Sequence, residues 1–321
     1  MSPNQIAAGG PLELVVFPGG FNWPLFVANE KGFFAGNGVA VNITPTPDSK
    51  FQLVGLIEGR FDIALTAIDN VIAYSEGQGT AKTEHKPDIF AFMGSDSGFL
   101  RLVSVPEVTR VAQLAGKRLG VDALTTGYAF VLHKLLELAG IRREDVQFVQ
   151  AGGVKSRYDA LLRREFEATL LVTPFEAMAE AEGFHRLANA SQALGAYQGV
   201  VAAARRPWAR AHVDEVVEFI RGYRAALDWL FDHANKRDAI EILKRNVPGM
   251  DNTVAGKSHD FLLDPGTGFF KDARLDAEGI AKVVALRSEY GEPRKLLADP
   301  ASYYDIDYLA KAAGYSPDHM T

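Results

Sequence analysis

The sequence predicts an α/β protein of two doubly wound lobes followed by a helical C-terminal tail. Three observations carry that prediction. Apolar strand-like runs alternate with helical periodicity from Leu12 to about residue 98, and a second series of the same kind begins near Lys117. From Trp208 onward the pattern changes to long helices. A chain of 321 residues has the length for two lobes, or for one large α/β body.

The first strand is LELVVF, Leu12 to Phe17, and it stops at the turn-rich PGGFNWP. Pro24 suits the first turn of a helix, where its missing N–H costs nothing. That helix runs into GNG, where Gly36 and Gly38 are expected in left-handed positions that end it. VAVNI then alternates as a half-buried strand. Ser49 to Gly59 reads as a helix with Phe51, Leu53, Val54, Leu56 and Ile57 on its apolar side, FDIALT as a strand, and Ile68 to Tyr74 as a helix. PDIFAFMG and FLRLVSV are two more apolar runs around the polar GSDSG. In the second series KRLGVD, VQFVQ and ATLLV are strands, separated by helices over Gly127 to Ala139 and Ser156 to Phe166. After Ala177 the pattern is helix, loop and the strand YQGVVAAA. Val213, Val216, Val217 and Ile220 begin an amphipathic stripe that Leu227, Leu230 and Phe231 continue.

Composition removes several classes of function. Net charge is −6 with no basic stripe, so nucleic acid is not expected as a partner. There is no cysteine, which excludes disulfides, thiolate nucleophiles and Cys–zinc sites. GxSxG, Walker A and GxGxxG motifs in their proper contexts are missing, and the seven histidines are scattered without HxxxH spacing. No metal or other cofactor is expected. The N-terminal MSPNQIAAGGPLE lacks a basic n-region and an apolar h-region, so it does not read as a signal peptide. Two localisations follow: an exported mature form whose leader has been removed, or the cytoplasm if the sequence is native and complete.

In doubly wound sheets a ligand sits beyond the carboxyl ends of the strands, so the loops there name the candidate site. After the first strand they offer Phe17, Phe21, Asn22 and Trp23; after FDIAL, Thr66, Asp69 and Asn70; after PDIFAFMG, Ser95 and Asp96. The second series offers Asp122, Thr125, Thr126, Gly127 and Tyr128, then Gly152 and Gly153, then Thr173 and Phe175. Thr125 or Thr126 reads as a helix N-cap, with Gly127 giving access to free N–H groups that favour a carboxylate or sulfonate. Each of these has a plainer reading as well. TTG can be only a cap, Phe21 to Trp23 can dock on their own lobe, and Asp69 and Asn70 can cap the next helix. Thr173 and Phe175 can be packing residues. Arg157 is expected to pair with Glu165 or Glu167 at the surface rather than to clamp an anion.

The order and spacing of several blocks resemble the nitrate/sulfonate/taurine and thiamine-pyrimidine-precursor family of ABC-importer solute-binding proteins. PLFVANEKGFFAGNGVAVNI, LIEGRFDIALTAIDNVI and GGVKSRYDALLRREFEATLLVTPFEAMA carry the resemblance. LDAEGIAKVVALRSEYG and DPASYYDIDYLAKA extend it to the C-terminus. It implies a type II periplasmic binding protein fold: two lobes joined by two crossover segments, lobe I at 11–98 plus 205–321 and lobe II at 99–204. It also implies a non-enzymatic monomer that holds a small-molecule ligand in the cleft and delivers it to an ABC permease. An anionic aromatic carboxylate or sulfonate is the expected cargo, and a pyrimidine precursor held by Asp69 and Asn22 the alternative. Desulfinases of the same superfamily use a cysteine, and yeast pyrimidine synthases a cysteine-rich motif. An enzyme here would be a cysteine-free decarboxylase or lyase.

Overall fold

The computed structural model describes residues 10–297 and 299–314. The end of the expected lobe I, 315–321, and the N-terminal stretch 1–9 lie outside the described residues. Two five-stranded sheets organise the rest. The first is built from β1 (Leu12–Val16), β2 (Val41–Pro45), β3 (Ile63–Ala67) and β4 (Ile89–Gly94). The second contains β5 (Arg101–Ser104), β6 (Arg118–Val121), β7 (Gln147–Gln150), β8 (Ala168–Leu171) and β9 (His185–Asn189). The last strand, β10 (Val200–Arg205), returns to the first sheet. Spatial orders are β2-β1-β3-β10-β4 and β7-β6-β8-β5-β9.

Helices fill the connections. α1 (Trp23–Glu30), α2 (Phe33–Gly36), α3 (Ser49–Ile57) and α4 (Ile68–Ser75) serve the first sheet. α5 (Gly127–Leu138), α6 (Val154–Leu162), α7 (Phe175–Ala181) and α8 (Ala190–Leu194) serve the second. The tail carries α9 (Arg206–Ala211), α10 (Val213–Phe231), α11 (Lys236–Asn246), α12 (Asn252–Leu262), α13 (Ala277–Tyr290) and α14 (Asp307–Ala313). The expected stripe on α10 is buried from Val216 to Leu230, and Phe219 stacks on Phe34 of α2 with centroids 5.2 Å apart.

Each sheet has one strand running against its neighbours, and the reason is how that strand arrives. β10 is antiparallel to β3 and β4, and β5 is antiparallel to β8 and β9. The parallel strands deliver their carboxyl ends to the side where the lobes meet. A chain that crosses from one lobe enters the other sheet at that side and must run away from it. The two crossovers are tied together. Gly199 N donates to Asp96 O at 2.9 Å, and Ser95 N donates to Val200 O at 2.9 Å.

Several expectations need correction. The first helix is two, broken where Gly32 takes a left-handed φ of 73°. Gly36 is helical, and Gly38 carries the second left-handed turn at φ 77°. β9 and α8 do not show in the sequence pattern, because β9 is an edge strand with two exposed and three half-buried residues. Residues 200–204, expected on the lobe II side of the boundary, pair within the first sheet.

Candidate functional site

The carboxyl ends of β1, β3, β6, β7 and β8 converge on one cavity of about 550 Å³, counting the part open to solvent. Its apolar walls come from Phe17 and Phe21 after β1, Leu65 on β3, Val154 on α6, Val172 after β8 and Val200 on β10. Its polar groups are Thr66, Asp69, Asn70, Asp122, Thr126, Tyr128 and Arg157, with Gly127 and Gly153 at helix starts. The lining therefore draws on both sheets. Their lobes touch around it: Gly20 N donates to Thr173 O at 3.1 Å, and Gly153 abuts Phe17 and Pro47.

The polar groups are largely committed to one another. Asn70 Nδ2 donates to Thr66 Oγ1 at 2.9 Å. Thr126 occupies the N-cap position of α5 by its backbone, but its hydroxyl donates to Asp122 and to Ala123 O instead of capping. The first N–H groups of α5 therefore have no side-chain acceptor among the described residues, and they begin at the cavity wall. Asp69 sits in the first turn of α4 and accepts from Arg287 Nε and Nη2, both at 2.6 Å. Burial pushes the Tyr128 phenol above its ordinary value, with the Asp96 charge adding to the rise. It remains a neutral hydrogen-bonding group at physiological pH.

Arg157 departs most from expectation. Glu165 pairs with Arg163, and Glu167 with Arg118. Arg157 is instead 3% exposed and stands in the cavity wall. It donates to Gly152 O at 2.8 Å and Leu170 O at 3.2 Å. A guanidinium has five N–H donors, so these bonds leave about three free. No carboxylate among the described residues lies within ion-pair distance of it. Burial lowers its pKa, while the charge of Asp122 opposes that through space. It stays protonated. Only its local sequence context, the first turn of a helix after the Gly152–Gly153 turn, hints at this placement.

Other candidate residues lie elsewhere. Trp23 is buried in the first-lobe core, where Nε1 donates to Ala239 O at 3.0 Å. Phe175 packs on Tyr158, with centroids 5.4 Å apart. Asn22 Nδ2 donates to Phe17 O at 2.6 Å, and its Oδ1 has no partner among the described residues. Ser95 bonds Tyr223 OH at 2.9 Å in the crossover. The Thr173 hydroxyl donates to Glu176, and Thr125 presents its carbonyl to Arg287 at 3.0 Å. Arg287 itself, in the C-terminal block, carried no sequence signal for a role.

Gly127 also sets how closely the two lobes approach. A Cβ there would lie 2.5 Å from both Cβ and Cγ of Asp69. Asp69 is held by Arg287 and cannot give way, so Gly127→Ala has to push the lobes apart. Overpacking of this kind destabilises by about 1–3 kcal/mol. Thermal unfolding of Gly127→Ala is expected to show that loss; an unchanged melting temperature would place Asp69 and Gly127 out of contact.

Two sheets of this order, each with one strand exchanged across a double crossover and one cavity between them, define a type II periplasmic binding protein fold. Residues 22–236 match the family described as NMT1/THI5 like, and the chain belongs to that family. It is 24% identical over 262 residues to the putative binding protein YtlA of Bacillus subtilis (strain 168), covering 76% of this chain and 75% of that protein. The fold is similar to that of a Bordetella bronchiseptica RB50 protein, with a TM-score of 0.79 at 18% identity over 95% of this chain and 98% of the other. It is also similar to the alkanesulfonate-binding protein SsuA of Xanthomonas axonopodis pv. citri bound to MOPS. There the TM-score is 0.71 at 17% identity, over 92% and 98% of the two chains. What this chain shares with these solved structures is the fold.

Proposed function

We propose that this protein is the solute-binding component of an ABC importer, exported to work outside the cytoplasm, and that its cargo is a small anionic organic molecule. The carboxylate or sulfonate head lies against Arg157 and the start of α5. A planar or apolar body lies against Phe17, Phe21 and Tyr128. The observation that carries this reading is the buried guanidinium of Arg157, with donors to spare and no carboxylate in ion-pair reach. A buried charge without a partner is costly unless something else satisfies it. An anion does so with charge-assisted hydrogen bonds. The free N–H groups and dipole of α5 favour the same sign. A pyrimidine held by Asp69 and Asn22 fits less well, because Asp69 is occupied by Arg287 and Asn22 is behind the wall.

The described lining of the cavity holds no histidine, lysine, serine or cysteine, but the Thr126 hydroxyl does donate to Asp122, so chemistry on the bound molecule is the outcome the test has to separate from transport. The test is thermal unfolding against carboxylates, sulfonates, nitrate and pyrimidines. At roughly 100 times its dissociation constant a ligand stabilises by about 2.7 kcal/mol, a rise of several degrees. The expected result is a rise with aromatic carboxylates or sulfonates, recovered intact, and its loss in Thr126→Ala/Tyr128→Ala. Turnover of the bound compound would instead make the protein an enzyme.

A further inference from the structure

Arg287 does not line the cavity, yet its guanidinium reaches both lobes. It lies in the last turn of α13 and is fully buried, at 0% exposed. Toward the first lobe it grips Asp69 with a two-pronged fork, and Nη1 approaches Gln78 Oε1 at 3.4 Å. Toward the second lobe Nη2 donates to Thr125 O at 3.0 Å, and Cζ stands 4.8 Å above the Phe130 ring of α5. Around it α13 packs on both α4 and α5. Tyr290 lies beside Phe130 and His133, and Lys134 Nζ meets Glu289 Oε1 at 3.0 Å. Gly279 of the same helix is pressed against the backbone of the second crossover at Gln198.

Two consequences meet at this one side chain. The first is geometric. Asp69 projects from α4 into the space left by the missing side chain of Gly127, where Arg287 holds its carboxylate. The second is electrostatic. Asp69 and Asp122 are both on the cavity wall, with Arg157 the cation among the described lining residues. An unpaired Asp69 would leave that wall net negative and repel an anion. Paired with Arg287, it drops out of the balance. A buried ion pair is seldom better for stability than an apolar pair of the same volume, so stability alone is a weak reason for one here.

We propose that Arg287 is a positioning residue for the cleft. It holds Asp69 against Gly127, ties α4 to the loop that starts α5, and removes one negative charge from the ligand's surroundings. The geometric part stands by itself. The charge part rests on the anion reading above.

Hydrogen exchange of the full chain, without added ligand, tests the geometric part. The variants are Arg287→Gln, Arg287→Lys and Asp69→Asn/Arg287→Gln. In Arg287→Gln the amides of the first turns of α4 and α5 are expected to exchange about tenfold faster or more, as the loss of a coupled charge pair implies. Phe130 N, bonded to Thr126 O at 3.1 Å, is among them. The outer strands of both sheets should be unchanged. Arg287→Lys keeps the charge but not the planar fork, and should fall between. The double variant removes the stranded carboxylate but also lacks the tie, and should lie between Arg287→Gln and the parent. Even acceleration over both lobes, or a double variant no slower than Arg287→Gln, would overturn the assignment. Benzenesulfonate titration reads the charge part. Affinity should fall about tenfold in Arg287→Gln and recover in the double variant, as for other coupled charges. Equal affinity in parent and Arg287→Gln would refute it. Should the parent itself not bind benzenesulfonate or any other anion, the anion reading and the charge part fall together, while the exchange result still decides the geometric part.

Discussion

Replacing Arg157 with methionine is expected to weaken anion binding by about tenfold to a hundredfold while leaving the melting temperature unchanged or higher. A hydrogen bond to a charged group contributes about 1.5–3 kcal/mol, which sets that range. The fold does not need the charge. Arg157 is desolvated, satisfies only two carbonyls, and has no described carboxylate within ion-pair distance. Methionine has a similar reach and no desolvation penalty, so it can fill the site. Binding that falls while stability holds is the pattern of a residue kept for its ligand. Titration calorimetry with the compound found by thermal screening, alongside a melting curve of the variant, reads both quantities. Unaltered affinity would put the ligand's head group away from Arg157 and remove the observation on which the anion reading stands.

Asp96→Asn is expected to reshape the pH dependence of stability. Asp96 lies in the first crossover, 1% exposed. Its Oδ1 accepts from Gly98 N at 2.8 Å and Val200 N at 3.3 Å, and its Oδ2 has no partner among the described residues. Burial pushes its carboxyl up to about 7, and the two N–H groups offset only part of that. Ser95, Tyr128, Tyr197 and Tyr223 surround it, the last bonded to Ser95.

A carboxyl whose folded pKa lies above its unfolded value binds its proton more tightly when folded. The stability it confers is complete below about pH 4, the unfolded value, and is lost as pH rises through about 7. Asparagine keeps the Oδ1 acceptor and does not titrate. Against the parent, Asp96→Asn should therefore be nearly neutral at pH 4 and more stable at pH 8. The ceiling on that gain is roughly 4 kcal/mol. Urea unfolding of both proteins from pH 4 to 8 measures the difference, in which all other titrating groups cancel. Parallel curves would show that Asp96 is charged throughout. Because Gly199 leaves only enough room for this carboxylate, with a Cβ there 2.1 Å from Oδ1, larger replacements would test packing instead.

Local chemistry made much of this architecture readable. Strands such as IFAFMG are wholly buried runs, and ATLL is another, so their composition alone marks them. The exposed edge HRLAN carries no such mark and went unread. The cleft was partly legible for a related reason. In a doubly wound sheet any residue just past a strand is near the ligand side. Hence Phe21, Thr66, Asp69, Asp122, Thr126, Gly127 and Tyr128 were found by position and stand around the cavity. Position cannot say which way a side chain turns. Trp23 and Phe175 follow strands equally closely, but both turn into cores.

Arg157 and Arg287 mark the limit most sharply. Beside Arg157 the chain offers Glu165 and Glu167, and a surface ion pair is the natural reading. Burial of that helix face against β8 decides otherwise. The partner of Asp69 lies 218 residues away, in a helix whose sequence suggests only amphipathic packing. By itself, the sequence determined most of the elements, the two-lobe α/β class and the rim from which the cavity is built, because these follow from hydrophobic period, turn chemistry and strand ends. Only the tertiary structure decided which groups carry the charge of the cavity, because ion pairing and burial are settled between segments far apart in the chain.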